Sequence, residues 1–166
     1  MDSTTLRTRQ GPLKQSYRDD PAKALVLSRI EARLEPASIA VTFPVARPLQ
    51  AGLHPSTGGT DGFACSADML LESLAACAGV TLLAVAASMG IVLAGGTIRA
   101  AAVWDARGTL GLSRSVPVGI QSISLEFALE GAIDEADRER LLATTERYCV
   151  ILATLRDGPR VSVTLA

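Results

Sequence analysis

SADMLLESLAACAGVTLLAVAASMG, residues 66–90, is the stretch that decides the fold of this chain. The 22 residues from Ser73 to Ala94 carry no charge. Ser66 is a good helix N-cap, and Asp68 falls in the first turn, where a carboxylate is favourable. Gly90 marks the end of the pattern. The stretch therefore predicts a long helix without a polar face, of the kind that lies buried in the middle of a fold.

A membrane span is the alternative for the same stretch, because it is about as long as a bilayer requires. The flanks disfavour that alternative. Asp68 and Glu72 stand one turn apart at the start of the helix, no basic cluster flanks it, and no aromatic belt is present. The many Ala, Gly and Ser residues would let other backbones approach closely. We therefore expect a soluble protein with a buried core helix and no membrane partner.

The composition limits the classes of function. A length of 166 residues with 48% hydrophobic content suits one domain with an ample core. Because 16 basic residues are balanced by 17 acidic ones, no nucleic acid partner is expected. The N-terminus has no apolar signal region, which favours a cytoplasmic location, where structural disulfides are rare. His54 is the only histidine, so a multi-histidine metal site is excluded, and we expect neither a metal nor another cofactor.

The chain before the central helix predicts a tail and a hairpin. Residues 1–23 are polar and without periodicity, and residues 24–166 are expected to form a single domain. Alternating side chains predict strands at 24–34 and 39–45, which together make an N-terminal β-hairpin. The sequence GLHPSTGGTDG at 52–62 is typical of a loop and lacks the context of a phosphate-binding loop.

The chain after the central helix predicts a second hairpin, a second long helix and a final strand. Strands are expected at 97–105 and around Ile123 to Leu129. Asp134 is a good N-cap for a helix that continues to about Arg156, where Asp-Gly-Pro ends it. Alternation at 161–165 predicts the final strand. This order of elements predicts an α+β fold rather than a doubly wound parallel sheet.

Two cysteines are candidate functional residues. Cys77 lies in the central helix, and Cys149 lies in ERYCVILATL on the second helix. Free cysteines among small apolar residues are ordinarily part of the core, but two thiols on neighbouring helices are also what a redox site requires. Cys65, just before the central helix, is expected to be a bystander or a competing resolving thiol. Ser73 and Thr81, one turn on either side of Cys77, are expected to bond locally to the backbone.

The central-helix sequence followed by ERYCVILATLRDG resembles the OsmC/Ohr family of thiol-dependent hydroperoxide reductases. The resemblance covers about residues 25–166 and rests on both cysteines, their separation, the Leu-Leu that leads to Ala-Ala-Cys, the Gly-Ile that ends the helix, and the order of elements. It implies an OsmC-like fold. It also implies an intertwined homodimer, in which sheets from both chains wrap the long central helices.

The resemblance implies a mechanism as well. Cys77 matches the peroxidatic cysteine and Cys149 the resolving cysteine. The Cys77 thiolate would attack an organic hydroperoxide, and Cys149 would condense with the resulting sulfenic acid to form a disulfide. A dithiol reductant of lipoyl or other type would reset the pair, giving the protein an antioxidant role in a stress response. The alternative is a non-catalytic OsmC-like module that binds an apolar small molecule at the dimer interface.

Such a mechanism requires something that lowers the pKa of Cys77. The thiol lies too far from the start of its own helix for the dipole to do so, and burial acts in the opposite direction. In the family an arginine of the N-terminal hairpin pairs with a carboxylate before the cysteine helix. Arg33 matches that arginine best, with Arg29 as the alternative. Asp68 stands where the family has Glu and could reach Cys77 only if the helix begins late or Arg33 bridges the gap. Val150 replaces the proline or serine that often follows the second cysteine.

Overall fold

The computed structural model describes residues 33–35, 40–43, 49–54, 57, 63–109 and 114–165, together with positions 4, 8, 12, 15 and 19. Those five positions lie in the predicted tail and are helical, although no regular structure was expected there. The chain divides into two compact units. We call residues 1–18, 73–98 and 126–166 the thiol unit, because it contains Cys77 and Cys149, and residues 19–72 and 99–125 the hairpin unit.

The hairpin unit contains a four-stranded sheet in the order β1-β2-β3-β4. Its strands are β1 (Arg33–Glu35), β2 (Ala40–Phe43), β3 (Leu49–Gly52) and β4 (Ala64–Cys65). The first two pairings are antiparallel, and β3 pairs with β4 in parallel. Strands β1 and β2 are the predicted hairpin, whose residues before Arg33 lie outside the described residues. The sequence did not predict β3 or β4, because both are very short and are defined by pairing rather than by alternation.

The central helix α1 (Ser66–Met89) has 24 residues, as predicted. One stripe of it is buried, consisting of Leu74, Ala78, Leu82, Val85 and Ala86. Elsewhere on the helix, Val80 is 70% exposed and Leu83 is 60% exposed. By length and composition alone α1 could cross a membrane, and only 28% of its most apolar 18-residue window is buried. A single chain therefore buries only part of a helix that was expected to be buried all round.

A second pair of strands follows α1. Strands β5 (Gly95–Val103) and β6 (Ser122–Glu130) form a two-stranded sheet. The backbone N–H of Ala94 donates to the carbonyl of Glu130 at 3.0 Å, so the start of β5 meets the end of β6 and the strands are antiparallel. A short helix, α2 (Ala106–Thr109), begins the connection between them. The predicted second hairpin is therefore confirmed.

The second long helix differs from the prediction, because it is broken at Cys149. It consists of α3 (Glu135–Tyr148) and α4 (Val150–Arg156). Asp134 caps α3 as predicted, and its side chain accepts a hydrogen bond from the backbone N–H of Asp137 at 2.7 Å. Cys149 has extended backbone angles and is both the C-cap of α3 and the N-cap of α4. The prediction of one continuous helix was wrong at this residue.

The predicted final strand does not form in the described chain. Residues 158–165 have no regular structure. The apolar side chains that suggested a strand are exposed, with values of 81% for Val161, 91% for Val163 and 102% for Leu165. A strand needs a neighbouring backbone with which to exchange hydrogen bonds, and no described strand pairs with this segment.

The core of the thiol unit holds α1 in place. Leu82, Val85 and Ala86 of α1 pack with Leu141 of α3, and partly buried residues surround them: Met89, Ile91, Leu93, Phe127 and Leu129. Complete burial of a leucine such as Leu141, which is 0% exposed, is worth about 1.5–3 kcal/mol. This contact aligns α1 with α3, the helix that ends at Cys149, and the mixture of helices and small sheets confirms the α+β class.

Candidate thiol site

Cys77 lies at the edge of the buried stripe of α1. Leu74 and Ala78 on either side of it are 0% exposed, whereas Cys77 itself is only half-buried. Close packing begins two residues further along, because a Cβ at Gly79 would stand 3.0 Å from Cδ1 of Ile98 on β5. The helix is thus packed closely on both sides of Cys77, while this residue is itself only partly buried. The sequence predicted a more deeply buried thiol.

Cys149 is 0% exposed, and its backbone is fixed on both sides. Its N–H donates to the carbonyl of Thr145 at 3.0 Å, and its carbonyl accepts from the N–H of Ala153 at 2.9 Å. The buried Thr145 hydroxyl in turn donates to the carbonyl of Leu141 at 2.7 Å. Both bonds of Cys149 follow the helical spacing, so α3 and α4 remain joined at the residue where the helix breaks.

The structure brings the two predicted thiols together. The two thiols lie close enough to interact, and hydrogen bonding with Cys149 lowers the pKa of Cys77; both cysteines are free. Cys77 is thus partly buried, whereas Cys149 is completely buried. A reactive cysteine backed by a second thiol is the arrangement that thiol–disulfide chemistry requires.

The pKa of Cys77 is lowered, although its partial burial acts to raise it. Four hydrogen-bond donors outweigh burial: the backbone N–H of Ile151, the Cys149 thiol, the backbone N–H of Val150 and the hydroxyl of Thr81. Donors of this kind stabilise a thiolate directly. The helix break explains the two backbone donors, because Val150 and Ile151 are the first residues of α4 and their N–H groups have no partner within that helix.

The pKa of Cys149 is raised. Burial is the largest cause, and the hydrogen bond to Cys77 and the negative charge of Cys77 add to it, against donation from the backbone N–H of Leu152. Because the two thiols titrate together, ionisation of the first suppresses ionisation of the second. The opposite directions of the two pKa shifts make Cys77 the thiol of the pair that ionises more readily.

The role of Thr81 can be tested by alkylation. Iodoacetamide reacts with the thiolate, so the rate at Cys77 should rise with pH at lower values than for free cysteine, whose pKa is about 8.5. Thr81→Val removes one donor and should shift this profile to higher pH, slowing alkylation severalfold at neutral pH. Thr144→Val is the matched control, because the Thr144 hydroxyl donates to the carbonyl of Arg140 at 2.6 Å. Identical profiles for the two variants would contradict this role.

The two charged residues expected at the site are not tested by the structure. Arg33 is the first residue of β1, opposite Thr42, but its side chain lies outside the described residues, as does the whole of Arg29. Asp68 is exposed, and α1 begins at Ser66, so the late helix start that would bring Asp68 closer to Cys77 does not occur. Both charges remain predictions for this site.

The remaining candidates belong to the hairpin unit. Cys65 is half-buried at the end of β4. The ring of His54 meets Trp104 edge to face, with centroids 5.2 Å apart. Among the described residues, no group of three or more His, Cys, Asp or Glu side chains is placed to hold a metal ion.

Sequence reasoning missed the most informative part of this site. The backbone donors of Val150 and Ile151 depend on a helix break that no Gly or Pro announces. Thr81 could have been identified, because it follows Cys77 by one helical turn and therefore shares its face. The sequence pointed instead to backbone bonding for that hydroxyl, whereas its interaction with Cys77 helps to lower the pKa of that thiol.

Comparison with known proteins gives a consistent picture of the fold. The sequence profile of the family described as OsmC-like protein matches residues 59–164. No curated protein sequence matches the chain. Among solved structures, an OsmC-like protein from Mycoplasma pneumoniae has a TM-score of 0.66 and 19% identity, over 80% of this chain and 89% of that one.

Two further structures carry names that refer to hydroperoxides. An organic hydroperoxide resistance protein OsmC from Legionella pneumophila has a TM-score of 0.63 and 16% identity, over 81% of this chain and 93% of that one. An organic hydroperoxide resistance protein from Elizabethkingia anophelis has a TM-score of 0.63 and 17% identity, over 80% and 91%. At these identities the likeness establishes a shared fold.

Proposed function

Because this chain belongs to the OsmC-like protein family, we propose that it is a thiol-dependent peroxidase that reduces organic hydroperoxides. Membership and the names of its structural neighbours support a redox or stress-related role. The observation that carries the finer proposal is the contact between a partly exposed Cys77 with a lowered pKa and an enclosed Cys149 with a raised one.

The first step is nucleophilic attack. The Cys77 thiolate attacks the terminal oxygen of the hydroperoxide, the O–O bond breaks, and the alkoxide leaves and takes up a proton to become the alcohol. Cys77 is then a sulfenic acid, oxidised by two electrons. The donors at Val150, Ile151 and Thr81 favour this step because they maintain the thiolate in a partly buried position.

The second step closes the disulfide. The Cys149 sulfur attacks the Cys77 sulfenic acid, an S–S bond forms, and hydroxide leaves and becomes water with the proton that Cys149 loses. The raised pKa of Cys149 keeps it protonated until the charge on Cys77 has been removed. An external dithiol, of lipoyl or other type, then reduces the disulfide and becomes a disulfide itself, which returns both cysteines to thiols.

The proposed working form is an intertwined homodimer that is soluble and cytoplasmic. The dimer is supported by the apolar surface that one chain leaves exposed. This surface includes Val80 and Leu83 on α1 and Val161, Val163 and Leu165 near the C-terminus. Surfaces of this kind mark interfaces. A second chain would cover α1 and offer a sheet edge with which residues 161–165 could pair as the predicted final strand.

The test of this function is turnover with a defined reductant. With dihydrolipoamide as reductant, the protein should consume cumene hydroperoxide through many cycles and should be much slower with hydrogen peroxide. A module that only binds apolar molecules at its dimer interface would bind cumyl alcohol without consuming the hydroperoxide. Absence of turnover with every dithiol tried, from a protein whose thiols are fully reduced, would contradict the proposal.

Arg33 is proposed to supply positive charge to the site, together with Asp68. The support is its match to the family arginine and its place in β1 of the N-terminal hairpin. Arg33→Gln should lower kcat/KM for cumene hydroperoxide about a hundredfold, the usual loss when one preorganised donor to developing negative charge is removed. Arg29→Gln is the matched control, and the expected change there is less than about threefold. The reverse ranking would assign the role to Arg29.

A further inference from the structure

The hairpin unit contains a cavity of about 360 Å³ that the proposed mechanism does not use. Four segments line it: the end of β3 with the loop after it, the junction of β4 with α1, the turn after β5 and the approach to β6. All its described lining residues belong to the hairpin unit, and neither Cys77 nor Cys149 is among them. A volume of this size is within the range of small-molecule sites.

One wall of the cavity is fixed by local hydrogen bonds. In the loop after β3, the backbone N–H and the hydroxyl of Thr57 both donate to the carbonyl of His54, at 2.8 and 2.9 Å. At Gly52 a Cβ would stand 2.8 Å from the Cβ of Phe63, so β3 and the segment that leads into β4 are in close contact. The position of His54 is therefore set without a ligand.

A second wall, which adjoins His54 through Trp104, is fixed by close packing. Gly108 is buried, and a Cβ there would overlap the carbonyl of Pro117, so the turn after β5 lies directly against the approach to β6. The N–H of Gln121 donates to the carbonyl of Val103 at 2.8 Å, beside Trp104. Trp104 thus stands on a stretch of backbone that is bonded to the next strand.

The chemistry of the lining indicates what the cavity takes. None of its described lining residues is Asp, Glu, Lys or Arg. The aliphatic side chains among them are Leu53, Ala67, Leu70, Val118 and Ile120, and the small polar ones are Thr57, Cys65, Ser66 and Thr109. The rings of Trp104 and His54 meet edge to face within it. The positive end of the α1 helix dipole attracts an anion only weakly, because the carboxylate of Asp68 already lies in the first turn. A charged ligand would therefore lose its water without gaining an oppositely charged side chain among the described lining residues.

We propose that this cavity binds a small uncharged aromatic molecule of about two fused rings. A cavity of about 150 Å³ holds one benzene molecule, so about 360 Å³ is sufficient for a bicyclic ligand. The aromatic and branched aliphatic side chains of the lining provide apolar contact, and the rings of Trp104 and His54 can pack edge to face against an aromatic ligand. This site is separate from the thiol pair, and the proposal does not depend on peroxidase activity.

Two lining residues report on ligand binding in this cavity: Trp104 through its fluorescence and Cys65 through its rate of alkylation. Trp104 is the only tryptophan in the chain, so tryptophan emission, excited selectively over that of the two tyrosines, reports on this wall alone. The probe is 2-naphthol, whose absorption overlaps tryptophan emission. It should quench Trp104 saturably. At ten times the measured Kd, alkylation of Cys65 by iodoacetamide, followed by peptide mass, should slow about tenfold.

Matched variants and a matched probe decide the outcome. Gly119 lines the cavity, and an added Cβ there meets nothing within 4 Å, so Gly119→Leu should place a side chain in the cavity and raise the Kd for 2-naphthol at least about tenfold. Gly158 has the same free space but is not among the lining residues, so Gly158→Leu should leave the Kd unchanged. Naphthalene-2-sulfonate, with the same rings and a fixed charge, should bind at least about tenfold more weakly.

Three results would each overturn the proposal. The first is equal binding of naphthol and the sulfonate. The second is a Cys65 alkylation rate that does not change when Trp104 quenching is saturated, which would place the probe elsewhere. The third is an unchanged Kd in Gly119→Leu, provided that its circular dichroism spectrum and melting temperature match those of Gly158→Leu.

Discussion

Cys77→Ser is expected to lower kcat/KM for an organic hydroperoxide by about a thousandfold or more, because a serine hydroxyl at neutral pH cannot replace a thiolate as nucleophile. The donors that lower the pKa of Cys77 would remain, but they would surround a group that does not ionise. The measurement is steady-state consumption of cumene hydroperoxide with a dithiol reductant.

The matched control for this variant is Ala76→Ser. It introduces the same hydroxyl at the neighbouring position of α1, where the side chain is exposed. We expect its activity to stay within about threefold of the unmodified protein, since exposed substitutions away from special features have small effects. Peroxidase activity that survives in Cys77→Ser would show that another group carries the chemistry.

Cys149→Ala is expected to separate the two chemical steps. The first oxidation of Cys77 should still occur and give one sulfenic acid per chain, which dimedone traps and mass spectrometry detects. Sustained turnover should fall at least about a hundredfold, because no thiol stands behind Cys77 to release water and close the disulfide. Loss of the Cys149 hydrogen bond should also raise the pKa of Cys77, so the first step should slow at neutral pH.

Cys149 is completely buried, so the variant needs a control for damage to the fold. Thr145→Val is this control, because Thr145 lies one turn earlier and is equally buried. Its hydroxyl donates to the backbone carbonyl of Leu141. Both variants should lose some stability, and only Cys149→Ala should lose turnover. Normal turnover without Cys149, or equal loss in Thr145→Val, would contradict a resolving role.

The sequence predicted the elements that depend on local pattern. The uncharged run of α1, the alternation of β6 and the Asp134 cap each have a direct signal, and all three elements form. The resemblance to a known family placed both cysteines, and the structure brings them into contact. These features depend on side-chain periodicity or on spacing along the chain.

The features that the sequence did not predict depend on contacts between distant segments. No Gly or Pro in the sequence signals the helix break at Cys149. The break is important because it leaves the backbone N–H groups of Val150 and Ile151 available to the sulfur of Cys77, whose pKa they lower. The prediction of a final strand was wrong for a similar reason. Alternating side chains at 161–165 form a strand only where another strand is available to pair with them. The four donors that lower the pKa of Cys77 were not predicted, and the arginine that was expected to activate this thiol remains a prediction.

The central claim is that Cys77 and Cys149 act as one redox pair, and a single oxidation tests it most directly. The reduced protein is mixed with one equivalent of cumene hydroperoxide per chain, alkylated under non-reducing conditions, digested and mapped by mass spectrometry. We predict loss of two thiols per chain and a disulfide that joins the peptide containing Cys77 to the peptide containing Cys149, with Cys65 fully alkylated. A disulfide that involves Cys65, or three thiols that remain free, would contradict the account.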